Sequence, residues 1–452
     1  MLRTLFVLGI VVGGLPFAVY SPFYALLLYL WYALFRPEAF VWFDLTPYRV
    51  SLLLGILLVV RSAFAGVYPN LSHPLTIGSL AFLLLACAGQ VGAVDPSLGW
   101  LWLDYQARVI CVSLLAVSLI DTRQKLFLAV AVVATSFGFH SAKAGLASLL
   151  GGGVQFADGL AGSFNDNNGY ALGIAMILPL LVATAQNAPY AWMRIGYYLS
   201  APLSAFTVVS LFSRGGLLGV AGAAVALAAM QRRPIRALAI VAAVAIGGYY
   251  YAPIPQGWFE RIETIQTYDE VEDRSALGRL HFWRVAVEMA KDRPLGVGLK
   301  NYEAAYNSYD FSGGLYGFNR AVHSSHFQVL AETGFAGAFL WVTLFCVAFV
   351  LVVRIRRRAR DPRLAAGDAR FLLTMANGLA ASMLGFLVGG SFLSAAHNDV
   401  TWLTFGLLAS LDRLSRRLCA EAAEEPARTE GAPLAPSAER PLAPVFTFSP
   451  RR

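Results

Sequence analysis

Residues 326–360 read HFQVLAETGFAGAFLWVTLFCVAFVLVVRIRRRAR, and the decisive feature is an apolar run that ends at Val353 and meets Arg354, Arg356, Arg357, Arg358 and Arg360. A helix needs about 20 apolar residues to cross a bilayer core. Basic residues just beyond such a run mark its cytoplasmic end. The stretch therefore reads as a transmembrane helix of known direction, and the rest of the chain can be counted from it.

Further spans fall near 50–66, 75–95, 107–121, 125–148, 170–187, 194–213, 215–231, 236–252, 369–392 and 398–411. Residues 4–35 are also apolar, but Pro16 and Pro22 interrupt them, giving one kinked span or two short ones. The runs Arg232–Arg233–Arg236 and Arg413–Arg416–Arg417 should share the cytoplasmic face with Arg354–Arg363, and alternation adds Arg123 and Lys125. A cytoplasmic Arg3 then requires a single crossing, or its equivalent, before residue 36. The expected fold is an all-α polytopic membrane protein of about twelve helices.

Composition leads to the same class. Of 452 residues, 57% are hydrophobic and 14% charged, with a mean hydropathy of +0.59, against about 25% charged in a soluble domain. So few charges cannot solvate a soluble globule of this size, which excludes a disordered chain and an ordinary cytosolic enzyme. The net charge of +8 sits in short runs between apolar segments, so it reads as membrane orientation and not as nucleic-acid binding. Cys87, Cys111, Cys346 and Cys419 are scattered without CxxC or paired His spacing, so neither a metal site nor a disulfide frame is signalled. Met1–Val19 begins basic and turns apolar without a small-residue cleavage site, and is expected to stay as an anchor.

Four regions follow: transmembrane helices over 1–252, a large periplasmic loop with amphipathic helices over 253–322, C-terminal transmembrane helices over 323–411, and a disordered cytoplasmic tail over 412–452. The same alternation puts residues 149–169, the Ser213–Gly216 turn and the long loop on the non-cytoplasmic face. Mixed charge, Trp and Tyr make that loop a folded cap, with Ala276–Lys291 an amphipathic helix.

Candidate chemistry gathers on this face. Arg214 lies where a span emerges, beside Gly215 and Gly216, as an anion site or as an arginine snorkelling to headgroups. Arg279, on the amphipathic helix with Arg274, Arg284, Lys291 and Arg293 nearby, can grip phosphate oxygens bidentately or belong to a solvated face. His323 and His326 start the next span; the first is suited to accept a proton from a hydroxyl, or to cap the helix. No HExxH or cysteine pair supports zinc. Lys143, close to His140, is a partner for an anionic headgroup, while Asn165, Asp166, Asn167 and Asn168 can bind sugars or form a turn and helix cap. No Walker loop or dinucleotide fingerprint occurs, and no cofactor is expected.

These residues together resemble the O-antigen ligase superfamily, most closely its branch of exosortase-associated O-glycosylation ligases. The likeness covers about residues 1–410. It is carried by Gly162-Ser163-Phe164 with Asp166-Asn167-Asn168, Ser213-Arg214-Gly215, Trp258-Phe259-Glu260-Arg261 running into Thr264-Ile265-Gln266-Thr267-Tyr268, Gly278-Arg279 with Trp283, Asp292-Arg293-Pro294-Leu295-Gly296, and His323 with Glu332 and Gly334. The resemblance implies a helical bundle under a periplasmic cap in the bacterial inner membrane. It implies transfer of a glycan from undecaprenyl pyrophosphate to an acceptor hydroxyl on lipid A core or a protein. The family's two arginines match Arg214 and Arg279, and its histidine matches His323. Where the family often has asparagine after that histidine and an aromatic three places on, this chain has Ser324 and His326.

On this reading Arg214 and Arg279 hold the pyrophosphate, and His323 activates the acceptor for inverting, metal-independent transfer. Lys143, Asn167, Asn168, His326 and Arg274 are candidate substrate-binding residues. Partners are the lipid-linked donor, a glycolipid or protein acceptor and membrane lipids, with no nucleic acid. The rivals are a lipid-linked repeat-unit polymerase, a transporter or flippase for an anionic lipid-linked glycan, and a structural partner of an envelope complex.

Overall fold

The computed structural model describes residues 2–42, 45–156, 158–160, 164–255, 257–258 and 274–424. It is 78% helical, with 15 α-helices and one short β-ribbon among those residues. In order these are α1 (Leu2–Tyr20), α2 (Pro22–Phe35), α3 (Val50–Phe64), α4 (Pro74–Gly89), α5 (Pro96–Leu119), α6 (Arg123–Leu150), α7 (Asn167–Asn187), α8 (Ala191–Ser210), α9 (Arg214–Ala229) and α10 (Pro234–Tyr251). Then come α11 (Arg274–Asp292), α12 (Tyr302–Tyr309), α13 (Ser325–Arg358), α14 (Ala366–Gly390) and α15 (Asp399–Glu424). Strands β1 (Asp158–Leu160) and β2 (Phe164–Asp166) pair antiparallel just before α7. Eight helices, α1, α4, α5, α6, α7, α10, α13 and α14, are long and apolar enough to cross a membrane. The chain is an all-α polytopic membrane protein.

The bundle has a basic end and a cap end. At the basic end Asp412 takes Arg358 at 2.6 Å and His73 at 3.3 Å, Arg123 meets Asp368 at 3.0 Å, and Asn187 donates to Thr374 at 2.7 Å. At the cap end the exit of α6 is bonded to the exit of α8 through Ser148 and Ser210 at 2.8 Å, and α11 and α12 cover the entrance of α13. Burying Asp412 among these partners explains why α15 continues to Glu424, past the end expected at 411, with Leu414 and Ser415 buried.

The N-terminal apolar stretch forms two helices. Ser21 is extended (φ −139°, ψ 133°) and Pro22 cannot donate to a continuing helix, so α1 and α2 fold back as a hairpin. The Phe6 and Phe35 rings lie 6.1 Å apart, and the Arg3 guanidinium lies over Phe40 at 5.4 Å. Arg3 therefore sits at the cap end, not with the basic runs as the single-crossing count expected.

Small residues set the closest helix approaches. A Cβ on Gly219 of α9 would stand 3.1 Å from the Gly385 carbonyl oxygen of α14, and one on Gly216 would overlap Ala171 of α7. With no hydrophobic drive between helices in lipid, such close contact is what binds them. At the cap end, Phe282, Val285 and Met289 of α11 pack with Tyr302 and Tyr306 of α12 and with Val322 in a second, smaller core. The cap is pinned to the bundle at a break in α13: Gly334 takes φ 68°, ψ −171°, and the 294–298 loop passes against it, with Val297 N–H donating to Ala331 O at 2.9 Å.

Candidate functional site

Arg214 is the first residue of α9 and follows a buried N-cap, Ser213. The Ser213 hydroxyl accepts from Gly216 N–H at 3.1 Å and donates to Asn168 Oδ1 at 2.8 Å. One hydroxyl thus caps α9 and ties it to the start of α7. Asp166 caps α7 in turn, its Oδ1 accepting from Asn168 N–H and Gly169 N–H at 2.9 Å each, and Asn167 Nδ2 donates to Leu211 O at 3.0 Å. The polar cluster read from the sequence is a helix cap here, and both asparagines brace the turn that carries Arg214.

His323 precedes α13 in a left-handed conformation (φ 50°), and its N–H donates to Ser394 Oγ at 3.0 Å. Ser394 follows Phe392 and Leu393, against which Gly215 packs: a Cβ built on Gly215 would stand 3.1 Å from Phe392 Cβ. The entrance of α9 and His323 therefore flank one short segment. Across the site, Arg279 follows Gly278, where α11 comes close enough that a Cβ would meet Tyr316 at 3.2 Å.

The electrostatics follow from this placement. Burial holds the His323 imidazole below the ordinary histidine range, the Arg279 and Arg320 charges push it further down, and Asp166 opposes them. Burial and the two guanidinium charges thus all disfavour the imidazolium form. Arg320, which the sequence reading did not single out, is held over the Phe282 ring at 5.6 Å, and that ring lies 6.1 Å from His323. Its only signal in the sequence was a position three residues before His323. Asp310 anchors the neighbouring turn: it accepts from Ser312, Gly314 and His281, and these bonds hold its carboxyl down at about 2 despite burial.

Other sequence candidates lie elsewhere. His326 bonds Leu387 O through Nε2 at 3.2 Å and receives Trp341 Nε1 on Nδ1 at 3.2 Å, so a single neutral tautomer satisfies both partners inside the bundle. Lys143 is exposed, with its Nζ over the Phe40 ring at 5.2 Å, beside the α1–α2 hairpin. The Arg274 side chain, residues 161–163 and the 259–268 motif fall outside the described residues. Further along α13 a buried polar chain includes Glu332, which the motifs had named: Gln328 donates to Glu332 at 3.1 Å, and Glu332 meets His397 at 2.7 Å. Among the described residues no three His, Cys, Asp or Glu side chains gather in metal-binding array.

A solved structure described as "Structural coordination of polymerization and crosslinking by a peptidoglycan synthase complex" is 17% identical over 77% of this chain and 98% of that chain, with a TM-score of 0.39. No curated protein matches the chain. Residues 199–342, from within α8 into α13, match the family described as O-Antigen ligase, and Arg214, Arg279 and His323 all lie inside that segment. The match supports the O-antigen ligase superfamily, and with it an enzyme of the membrane glycan ligase or polymerase type.

Proposed function

We propose that the chain is a glycosyltransferase of the bacterial inner membrane, with its cap on the periplasmic side, which moves a glycan from undecaprenyl pyrophosphate to an acceptor hydroxyl. The observation that carries this reading is a partly buried His323 bonded to Ser394, beside the segment against which the Arg214 turn packs, with the Arg279 and Arg320 charges disfavouring its imidazolium form. The arginines hold the pyrophosphate and offset the charge that grows on it as its bond to the sugar C1 breaks. The acceptor oxygen forms the new bond to C1 from the opposite face. Its proton passes to the His323 imidazole, and the pyrophosphate leaves with the electron pair. The acceptor is lipid A core or a protein, and the assay below distinguishes the two.

The test is transfer from undecaprenyl pyrophosphate-linked glycan to candidate acceptors by purified protein in detergent with a chelator, for wild type and His323→Ala. Loss of a general base lowers the rate about 10²–10⁴-fold. Unchanged transfer by the variant refutes the role of His323. Movement of the lipid-linked glycan across liposomes without transfer would make the chain a transporter, and extension of one lipid-linked repeat by another would make it a polymerase.

A further inference from the structure

Two titratable side chains that the proposed chemistry does not touch lie inside the protein. Glu332 of α13 and His397, on the turn between α14 and α15, are each 2% exposed. A carboxylate and an imidazole at that depth are costly unless their polar atoms are bonded. Both Glu332 oxygens are engaged: Oε1 accepts from Gln328 Nε2 at 3.1 Å, and Oε2 lies 2.7 Å from His397 Nε2. His397 Nδ1 in turn lies 3.3 Å from Gln106 Oε1.

These bonds fix the turn of residues 391–398 that joins α14 to α15. A carboxylate only accepts, so Glu332 decides which way the Gln328 amide points. The amide nitrogen faces Glu332, and the oxygen is left to accept Ala396 N–H at 3.2 Å. Ser325 clasps the same turn, its hydroxyl donating to Leu393 O at 2.7 Å and accepting from Ala395 N–H at 3.0 Å. Between these two points stands Ser394, whose Oγ accepts the His323 N–H. His323 needs that hold, because at φ 50° it occupies the left-handed region, which a residue with a β-carbon keeps only when its surroundings dictate it. A small cavity lined by Lys300, Glu303, Gln328, Glu332 and Ser394 also has Val322, the residue before His323, in its wall. The Glu332 backbone meanwhile receives the cap, with Gly298 N–H donating to its carbonyl at 3.3 Å.

We propose that Glu332, acting through Gln328 and His397, is a positioning residue: it sets the 391–398 turn, whose Ser394 holds His323 where its imidazole meets the acceptor hydroxyl. This rests on the reading of His323 as the base. The carboxylate works by its two acceptor oxygens and not by its charge. An amide in its place can accept from Gln328 and donate to His397 Nε2, with His397 Nδ1 then donating to Gln106.

The placement of His323 is read in the full-length protein in detergent from the rate at which diethyl pyrocarbonate modifies its ring, resolved by peptide mass. His140, bonded to Phe35 O on the other side of the bundle, is the internal reference. Glu332→Ala and Ser394→Ala should each speed modification of His323 at least threefold and leave His140 unchanged, while Glu332→Gln should match wild type. An unchanged His323 rate in Glu332→Ala, or a Glu332→Gln rate equal to that of Glu332→Ala, overturns the proposal. If Glu332→Ala also speeds His140, the variant has loosened as a whole, and Gln328→Met decides in its place with the same two outcomes. In glycan transfer, Glu332→Ala should lower kcat by about 10²-fold, the size expected of a misplaced catalytic group. KM for the donor should stay within threefold, since the arginines are untouched, and Glu332→Gln should restore kcat. A kcat unchanged in Glu332→Ala, where His323→Ala abolishes transfer, refutes the positioning role and leaves the base. Faster modification of His323 in Glu332→Ala, where His323→Ala transfers normally, refutes the base and leaves the hold on His323 in place.

Discussion

Replacing Arg320 by glutamine should move the acidic limb of the pH–rate profile toward neutrality. The guanidinium lies 5.6 Å from the Phe282 ring and the imidazole of His323 6.1 Å from it, so the two charges are at most about 12 Å apart. Coulomb's law at that distance gives about 0.3 kcal/mol in a water-like dielectric and about 1.4 kcal/mol at an effective dielectric of 20. At 1.36 kcal/mol per pKa unit, this is an upward shift of about 0.3–1 unit. The sign is fixed: Arg320 disfavours the imidazolium, its loss favours it, and a base that protonates at higher pH loses activity at higher pH. The assay is kcat/KM for glycan transfer against pH at low ionic strength, where screening is weakest. Arg284→Gln, on an exposed position of α11, is the control and should leave the limb in place. A limb that stays put in Arg320→Gln, or moves to lower pH, refutes the argument that this charge tunes His323.

Three further outcomes concern the frame that holds the site. Gly334→Ala should cost about 1–3 kcal/mol for a backbone region reserved for glycine and about 1–3 kcal/mol for the overlap of its Cβ with the Pro294 carbonyl, seen as a lower thermal unfolding midpoint. Gly9→Ala, where a Cβ meets nothing within 4 Å, should instead be neutral or stabilising. Asp412→Ala removes a fully buried carboxylate from Arg358 and Arg416. With Arg416 53% exposed and able to regain water, the loss should fall near about 3 kcal/mol, the lower part of the range for a broken buried pair, and Asp412→Asn should lose less. Ser213→Ala deletes both the α9 cap and the Asn168 bond, costing about 1 kcal/mol in stability, and should depress transfer more than stability because Arg214 is carried on that turn.

The topology was legible because apolar runs and the arginines that end them are local signals, and alternation from 326–360 propagates them along the chain. It failed at residue 36, where the choice between one crossing and two depends on whether Ser21 and Pro22 kink the helix or reverse it. Gly14 against Leu28 and Phe6 against Phe35 are contacts between residues far apart in sequence. The end of α15 was misjudged for a similar reason: Arg413, Arg416 and Arg417 read as a departing tail, while Asp412 is held by Arg358, which lies 54 positions earlier.

At the site, Arg214 and His323 stood out as charge and imidazole at the ends of apolar spans, while Arg279 was set apart from the other basic residues of the cap helix only by the family resemblance. Sequence could not say which polar neighbours face the same space. Asn167 and Asn168 brace a helix start, His326 turns into the bundle toward Trp341, and Arg320 joins His323 across Phe282. Those assignments depend on the direction of each side chain once α7, α9, α13 and the cap have packed, and on charges that interact through space. Sequence alone determined that this chain is a helical membrane protein with basic and polar ends, because hydropathy and charge act locally. Tertiary structure alone decided which charges meet, because that is set by the close approach of helices whose residues are distant along the chain.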